Sequence, residues 1–168
     1  LDLEVKAAPE KPWATTGTNC ERTHNIVNSL FLAPEELEKF NFERFERYKY
    51  IEENEAMYEE YMMDDAEICV TAFGIAARVA KNAINEARKQ GIKVGLIRPI
   101  TLWPFPSEAY TEHTKNAKAI LAVEMSMGQM VDDVKLAVNG KLPVHFFGRT
   151  GGNVPYPNEV IDAVKKLI

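Results

Sequence analysis

Eight polar side chains and one tryptophan stand where binding or catalysis would be sited: Arg98, Thr101, Trp103, Glu124, Ser126, Gln129, Arg149, Thr150 and Asn153. Each follows a short apolar run. Gly91 to Pro106 opens as a buried strand and breaks into a corner that carries Arg98, Trp103 and the prolines Pro99, Pro104 and Pro106. Glu124 closes the run Ala119 to Val123, and Gly148-Arg149-Thr150-Gly151-Gly152-Asn153 follows Pro143 to Phe147. Residues that follow strands gather on one edge of a parallel sheet, the edge where open α/β folds meet ligands and partner domains. Arg98 and Glu124 are expected on that edge, close enough to pair. Two readings stay open. The set is a structural ion pair with helix caps, or it is a surface that contacts a cofactor-bearing domain.

These residues do not complete an active site of their own. There is no GxSxG nucleophile elbow. His24, His113 and His145 lack metal-ligand spacing such as HExxH. His113 is expected to be solvated on a polar helix, and His145 to be packed in a strand. Gly148 to Gly152 matches neither GxGxxG nor a P-loop. Gly74 reads as a tight turn after a strand, although a helix start there suits an anion. Met125, Met127 and Met130 read as adaptable packing. Cys20 and Cys69 form no CxxC pair, which argues against a disulfide framework, a zinc ribbon or an iron–sulfur site. Cys69 is expected in the core, and this cysteine usage suits a reducing cytoplasm.

The elements that must position this edge follow from periodicity. Pro34-Glu35-Glu36 opens a long acidic helix, with proline at the first position and acids at the positive end of the dipole. Leu37, Phe40, Phe45, Tyr48, Ile51, Glu55 and Tyr58 form its stripe, which must lie on something; Glu43, Glu46, Glu52, Glu53, Glu59 and Glu60 are placed opposite, as a solvated face or, in the lesser reading, an acidic docking surface for a basic partner. Strand and helix then alternate. Strands are expected near 67–73, 92–97, 119–123 and 143–147. Helices are expected at 75–90, 107–116, from about 128 to 138, and at 157–167. Gly91 and Asn139-Gly140 serve as helix stops. Such alternation means βαβ units: a three-layer α/β/α fold with a mainly parallel sheet. Hydrophobic residues make up 46 % of the 168-residue chain, enough for a core without disulfides. A net charge of −5 argues against nucleic acid as partner. No apolar stretch approaches the roughly 20 residues of a membrane span.

Three separated segments carry a family resemblance. Gly91 to Pro106, Val123-Glu124-Met125-Ser126-Met127-Gly128-Gln129-Met130-Val131-Asp132-Asp133-Val134, and Phe147 to Gly152 together resemble the α subunit of the 2-oxoacid:ferredoxin oxidoreductases, of the 2-ketoisovalerate (branched-chain) type. Trp13 to Gly17 and Asn25 to Leu30 extend the likeness. The resemblance implies a fold similar to the transketolase C-terminal domain, with about five strands, one of them antiparallel and placed near Tyr58 to Met63. Relatives carry an Arg-Thr-x-x-Pro corner. Arg98, Thr101 and Pro104 stand near those places, with Pro99-Ile100 between arginine and threonine.

The family reaction is oxidative decarboxylation of a 2-oxoacid with CoA to acyl-CoA and CO2, with electrons passed to ferredoxin. Thiamine diphosphate, Mg2+ and iron–sulfur clusters serve the complete complex. This chain alone is expected to bind none of them, to hold no catalytic residue and no metal, and to be inactive by itself. Expected partners are the other domain of the same α subunit, the β, γ and ferredoxin-like subunits, ferredoxin and CoA. The start at Leu1 fits a preceding domain cut away. Residues 1–65 are read as a lead and interdomain extension, and 66–168 as the transketolase-C-like domain. The alternative is a free-standing α/β binding or regulatory module that shares the fold.

Overall fold

A computed structural model describes residues 7–168. The chain divides into two compact units, Leu1–Glu43 and Arg44–Ile168. In the first, a turn closes by Ala14 N–H to the Lys11 carbonyl at 2.9 Å, and the Phe31 and Phe40 rings stack at 5.0 Å. Helix α1 (Pro34–Asn54) has no buried residue, and its aromatic stripe stays largely exposed. The stripe also ends earlier than its period suggests. Tyr58 sits seven residues beyond Ile51, a spacing a helix would share, but it belongs to a strand instead. Pairing with a neighbouring strand overrides local periodicity there.

The second unit holds a five-stranded sheet with order β1-β3-β2-β4-β5. Its strands are β1 (Tyr58–Tyr61), β2 (Ile68–Thr71), β3 (Val94–Pro99), β4 (Ala119–Glu124) and β5 (Val144–Gly148). β1 runs antiparallel to β3, and the other pairs are parallel. The helices are α2 (Gly74–Lys89), α3 (Ser107–Glu112), α4 (Met130–Val138) and α5 (Pro157–Lys165). α3 stops before the expected end near 116, because the chain turns at His113 and Thr114, whose hydroxyl donates to the Tyr110 carbonyl.

Strand alternation sorts the core into two layers. Ile68, Val70, Val94, Leu96, Leu121 and Val123 meet the Ala76–Ala80–Ala83–Ala87 face of α2 and Val160, Ile161 and Val164 of α5. Cys69, Ile97, Ile120 and Ala122 meet Tyr110 of α3 and Met130, Val131 and Val134 of α4. The sheet is thus covered on both faces. Burial pushes the Cys69 thiol up to about 12, so it is inert. The Tyr110 hydroxyl, its pKa raised by burial, pairs with Thr71 Oγ1 at 2.6 Å.

Gly95 is the second residue of β3, where Met62 and Met63 press on the strand. A Cβ there would stand 2.4 Å from the Met62 carbonyl oxygen and 2.6 Å from Met63 Sδ. The backbone carbonyl cannot yield as a side chain would. Gly95→Ala is expected to destabilise the fold by about 2–3 kcal/mol. A urea midpoint unchanged from the parent protein would contradict this packing.

Candidate functional site

At the carboxyl edge of the sheet, β2 and β4 are neighbours whose chains leave to opposite faces, into α2 and α4. That is a topological switch point, where open sheets form their crevices. A cleft of about 270 Å³ lies there, walled by Phe73–Ala76 on one side and Glu124–Ser126 with Gln129 on the other. Gly74 turns the chain into α2 with φ +56°, a conformation that favours glycine.

Glu124 organises the floor. It is 1 % exposed and ends the inner strand β4. Its carboxylate accepts Gln129 N–H at 3.1 Å, Met130 N–H at 3.1 Å and Val131 N–H at 2.9 Å. Ser126 Oγ donates to the same carboxylate at 3.0 Å and accepts Gly128 N–H at 3.0 Å. The first amides of a helix have no intrahelical partner. Gln129, at the N-cap position of α4, provides no side-chain cap. Glu124 does this from five residues upstream, and its charge meets the positive end of the helix dipole.

The expected pairing of Arg98 with Glu124 does not occur. Arg98 Nη1 binds Glu59 Oε2 at 3.0 Å, directly across the β1–β3 ladder, and Lys81 of α2 binds Glu59 Oε1. Arg98 is one strand removed from the β2–β4 crevice, and Glu124 is already surrounded by amides. The Lys81 hydrogen bond, followed by that of Arg98, outweighs desolvation and holds the Glu59 carboxyl below the usual carboxylate range. Thr101 Oγ1 accepts Met57 N–H at 2.9 Å and so ties the proline corner to the start of β1. Trp103, 55 % exposed, meets the Tyr48 ring edge-on at 5.4 Å. Its peptide to Pro104 is cis.

The last loop is a separate group. Arg149 binds Glu159 at 3.4 Å, and Glu159 Oε2 accepts the N–H of Tyr156 at 2.8 Å, capping α5. The Thr150 carbonyl accepts both Asn153 N–H and its side-chain amide. The predicted residues therefore share one edge but fall into three groups: the β3 corner, the Glu124 cradle and the Arg149 loop.

Three side chains differ from expectation. His113 is not solvated: it closes α3, with Nδ1 2.7 Å from Glu60 Oε2 and Nε2 2.9 Å from the Tyr58 hydroxyl. Burial first, then the Glu112, Glu60 and Glu108 charges, raise the Tyr58 phenol pKa. His145 is exposed rather than packed: it lies on the edge strand β5, and on its face it is Phe147 that packs against the core. Of Met125, Met127 and Met130 only Met130 is buried, and Met127 is 84 % exposed. Glu59 and Glu60, expected on a solvated helix face, are paired instead, because the helical reading ran through β1; Lys81 of α2 went unremarked because its partner Glu59 was misplaced.

Comparison with known proteins identifies the fold's kin. A family model for the pyruvate:ferredoxin oxidoreductase core domain II matches residues 66–160. The chain belongs to this family. Ketoisovalerate oxidoreductase subunit VorB of Methanothermobacter marburgensis is 46 % identical over 163 residues, which cover 97 % of this chain and 46 % of that protein. The 2-oxoglutarate synthase subunit KorA of the same organism is 33 % identical over 101 residues, covering 60 % of this chain and 27 % of that protein. The chain thus spans about half the length of the VorB relative. A solved 2-oxoglutarate:ferredoxin oxidoreductase from Magnetococcus marinus superposes with TM-score 0.66 at 18 % identity, over 82 % of this chain and 24 % of that one. A split-gene transketolase gives TM-score 0.54 at 18 % identity, over 65 % of this chain and 41 % of that one. The two structures share the fold.

The described residues of the chain do not fit the cofactors that the resemblance assigns to a complete complex. No group of three His, Cys, Asp or Glu among them is placed to hold a metal ion. Their free thiols are the exposed Cys20 and the buried Cys69, whereas iron–sulfur clusters are held by sets of thiolates. The switch-point cleft has no lysine or arginine in its lining to meet a diphosphate. Its carboxylate is already held by amides. No helix among the described residues is long and apolar enough to cross a membrane.

Two outcomes follow from this geometry. Glutamine at Glu124 would present an amide to donors and carry no charge, so Glu124→Gln is expected to cost about 3 kcal/mol. A loss under about 1 kcal/mol in urea unfolding would contradict the cradle. Because the Glu59 pKa is depressed in the fold, its pairing stabilises the protein above the ordinary carboxylate pKa of about 4.3 and is lost as pH falls through the lower folded value. Glu59→Gln is expected to make the decline in stability below about pH 5 shallower. An acid limb identical to that of the parent would contradict this.

Proposed function

We propose that the chain is part of the α subunit of a thiamine diphosphate-dependent 2-oxoacid:ferredoxin oxidoreductase, with 2-ketoisovalerate as its substrate. The complete enzyme converts the 2-oxoacid and CoA to acyl-CoA and CO2 and reduces ferredoxin. Within it, this α/β unit shapes and assembles the catalytic interface and makes no bond itself. The cofactors lie on the other domain of the α subunit and on the β, γ and ferredoxin-like subunits, in the cytoplasm.

The likeness to VorB along 97 % of the chain supports the enzyme class. The observation that carries the assembly role is the engagement of the edge residues. Glu124 and Ser126 hold α4, Arg98 holds Glu59, and Thr101 holds Met57. Arg149 holds Glu159, and the Thr150 carbonyl closes a turn with Asn153. These contacts fix loop shape, and the shaped loops present exposed apolar side chains such as Trp103 and Met127.

The test is to capture the native assembly from its source cells with an antibody against this unit. The eluate is then assayed anaerobically for viologen dye reduction that depends on a 2-oxoacid and CoA. Larger companion chains, with highest activity on 2-ketoisovalerate, are expected. A lone 168-residue chain with no dye reduction would overturn the reading. Trp103→Ala is expected to weaken association of the unit with the rest of the assembly while leaving turnover per intact complex unchanged. Intact assembly with lost turnover would contradict the non-catalytic role.

A further inference from the structure

The two edges of the sheet are finished differently. β1, at one edge, is short and carries Glu59 and Glu60, each paired across to a neighbouring element. Charges on a short strand are a usual guard against further pairing. β5, at the other edge, has no lysine, aspartate or glutamate between Val144 and Gly148, and it pairs with β4 alone among the described residues. Ile120 N–H donates to the Pro143 carbonyl at 2.9 Å, and Arg149 N–H donates to the Glu124 carbonyl at 3.0 Å. In a parallel ladder alternate residues direct their N–H and C=O to the same neighbour. Residues 143, 145, 147 and 149 therefore face β4. The backbone groups of Val144, Phe146 and Gly148 point away from the sheet, with the Phe146 side chain 39 % exposed beside them.

Charge is segregated along the same edge. The chain carries 25 acidic residues and a net charge of −5, yet no aspartate or glutamate lies between Asp133 and Glu159. Lys135, Lys141, His145 and Arg149 lie in that stretch. Lys135 is paired with Asp132 and Arg149 with Glu159, while Lys141 and His145 are exposed on either side of Pro143.

We propose that β5 is a docking edge for an extended, acidic segment of another polypeptide, which adds as a further strand. Its main chain bonds to the outward groups of Val144, Phe146 and Gly148. Its alternate apolar side chains pack against Phe146, and its carboxylates meet Lys141. Strand addition gains affinity from main-chain hydrogen bonds and selectivity from alternate side chains. A second copy of this chain is a poorer occupant, because its own β5 brings no carboxylate and the turn before it brings another Lys141. The proposal rests on edge geometry and charge alone and stands apart from the assignment of the reaction.

The test uses the 168-residue chain and two short fluorescein-labelled peptides, one alternating valine with glutamate and one alternating valine with lysine. Saturable binding of the acidic peptide is expected by anisotropy, at least about tenfold tighter than that of the lysine peptide and weakened by salt. Phe146→Pro removes an outward N–H without removing a bond to β4, a place where proline is tolerated. It is expected to weaken binding about tenfold relative to Phe146→Ala, with the circular dichroism spectrum retained. Three results would each overturn the proposal: no saturable binding of the acidic peptide by the folded chain, equal binding of both peptides, or equal binding by Phe146→Pro and Phe146→Ala. A concentration-dependent dimer of the parent chain, abolished by Phe146→Pro, would overturn it in favour of self-pairing.

Discussion

A carboxylate sealed from water at the end of an inner strand, β4, is the constraint on which the carboxyl edge depends. An unpaired buried charge costs several kcal/mol, so Glu124 must be answered within the protein. It is answered by three backbone amides, the Ser126 hydroxyl and the positive end of a helix, rather than by a cation. One side chain thus fixes where α4 begins, how the loop from Met125 to Gly128 turns, and one wall of the switch-point cleft. The Glu124 carbonyl also accepts Arg149 N–H, which carries the constraint to the end of β5. Gly148 completes the arrangement. A Cβ there would stand 2.4 Å from the Ser126 carbonyl oxygen, so only glycine lets the loop approach the strand.

The alternation of apolar strands with amphipathic helices was legible because each core strand is buried on both faces and each helix shows its period. The apolar positions of α2 and α5 lie in one core layer and those of α4 in the other. Periodicity failed at β1. Tyr58-Glu59-Glu60-Tyr61 continues a helical spacing, and its strand character comes only from pairing with β3. The antiparallel strand there was anticipated through family likeness and not through pattern. That loss concealed the Glu59–Arg98–Lys81 and Glu60–His113–Tyr58 groups, which lie on opposite faces of β1.

Site residues were legible by edge but not by partner. A strand-ending residue must sit on the carboxyl edge, so all nine candidates were placed on loops that leave it. Which of them meet is a matter of strand order, and the order β3-β2-β4 puts a whole strand between Arg98 and Glu124. The capping role of Glu124 had a signal in the sequence. α4 begins at Gln129-Met130 without serine, threonine, aspartate or asparagine at its N-cap. A carboxylate stands a short distance upstream, and a glycine at φ +107° lets the chain fold back to it. Helix starts that lack a local cap direct attention to such remote acceptors.

Hydrogen exchange of the amides at Gln129, Met130 and Val131 tests the central role of Glu124 most directly. First-turn amides of a helix ordinarily exchange fast, because nothing within the helix protects them. Held by a buried carboxylate, they are expected to exchange only as slowly as the core amides of β4, and to become fast in Glu124→Gln. Rapid exchange of these three amides in the parent protein, while β4 stays protected, would contradict the account.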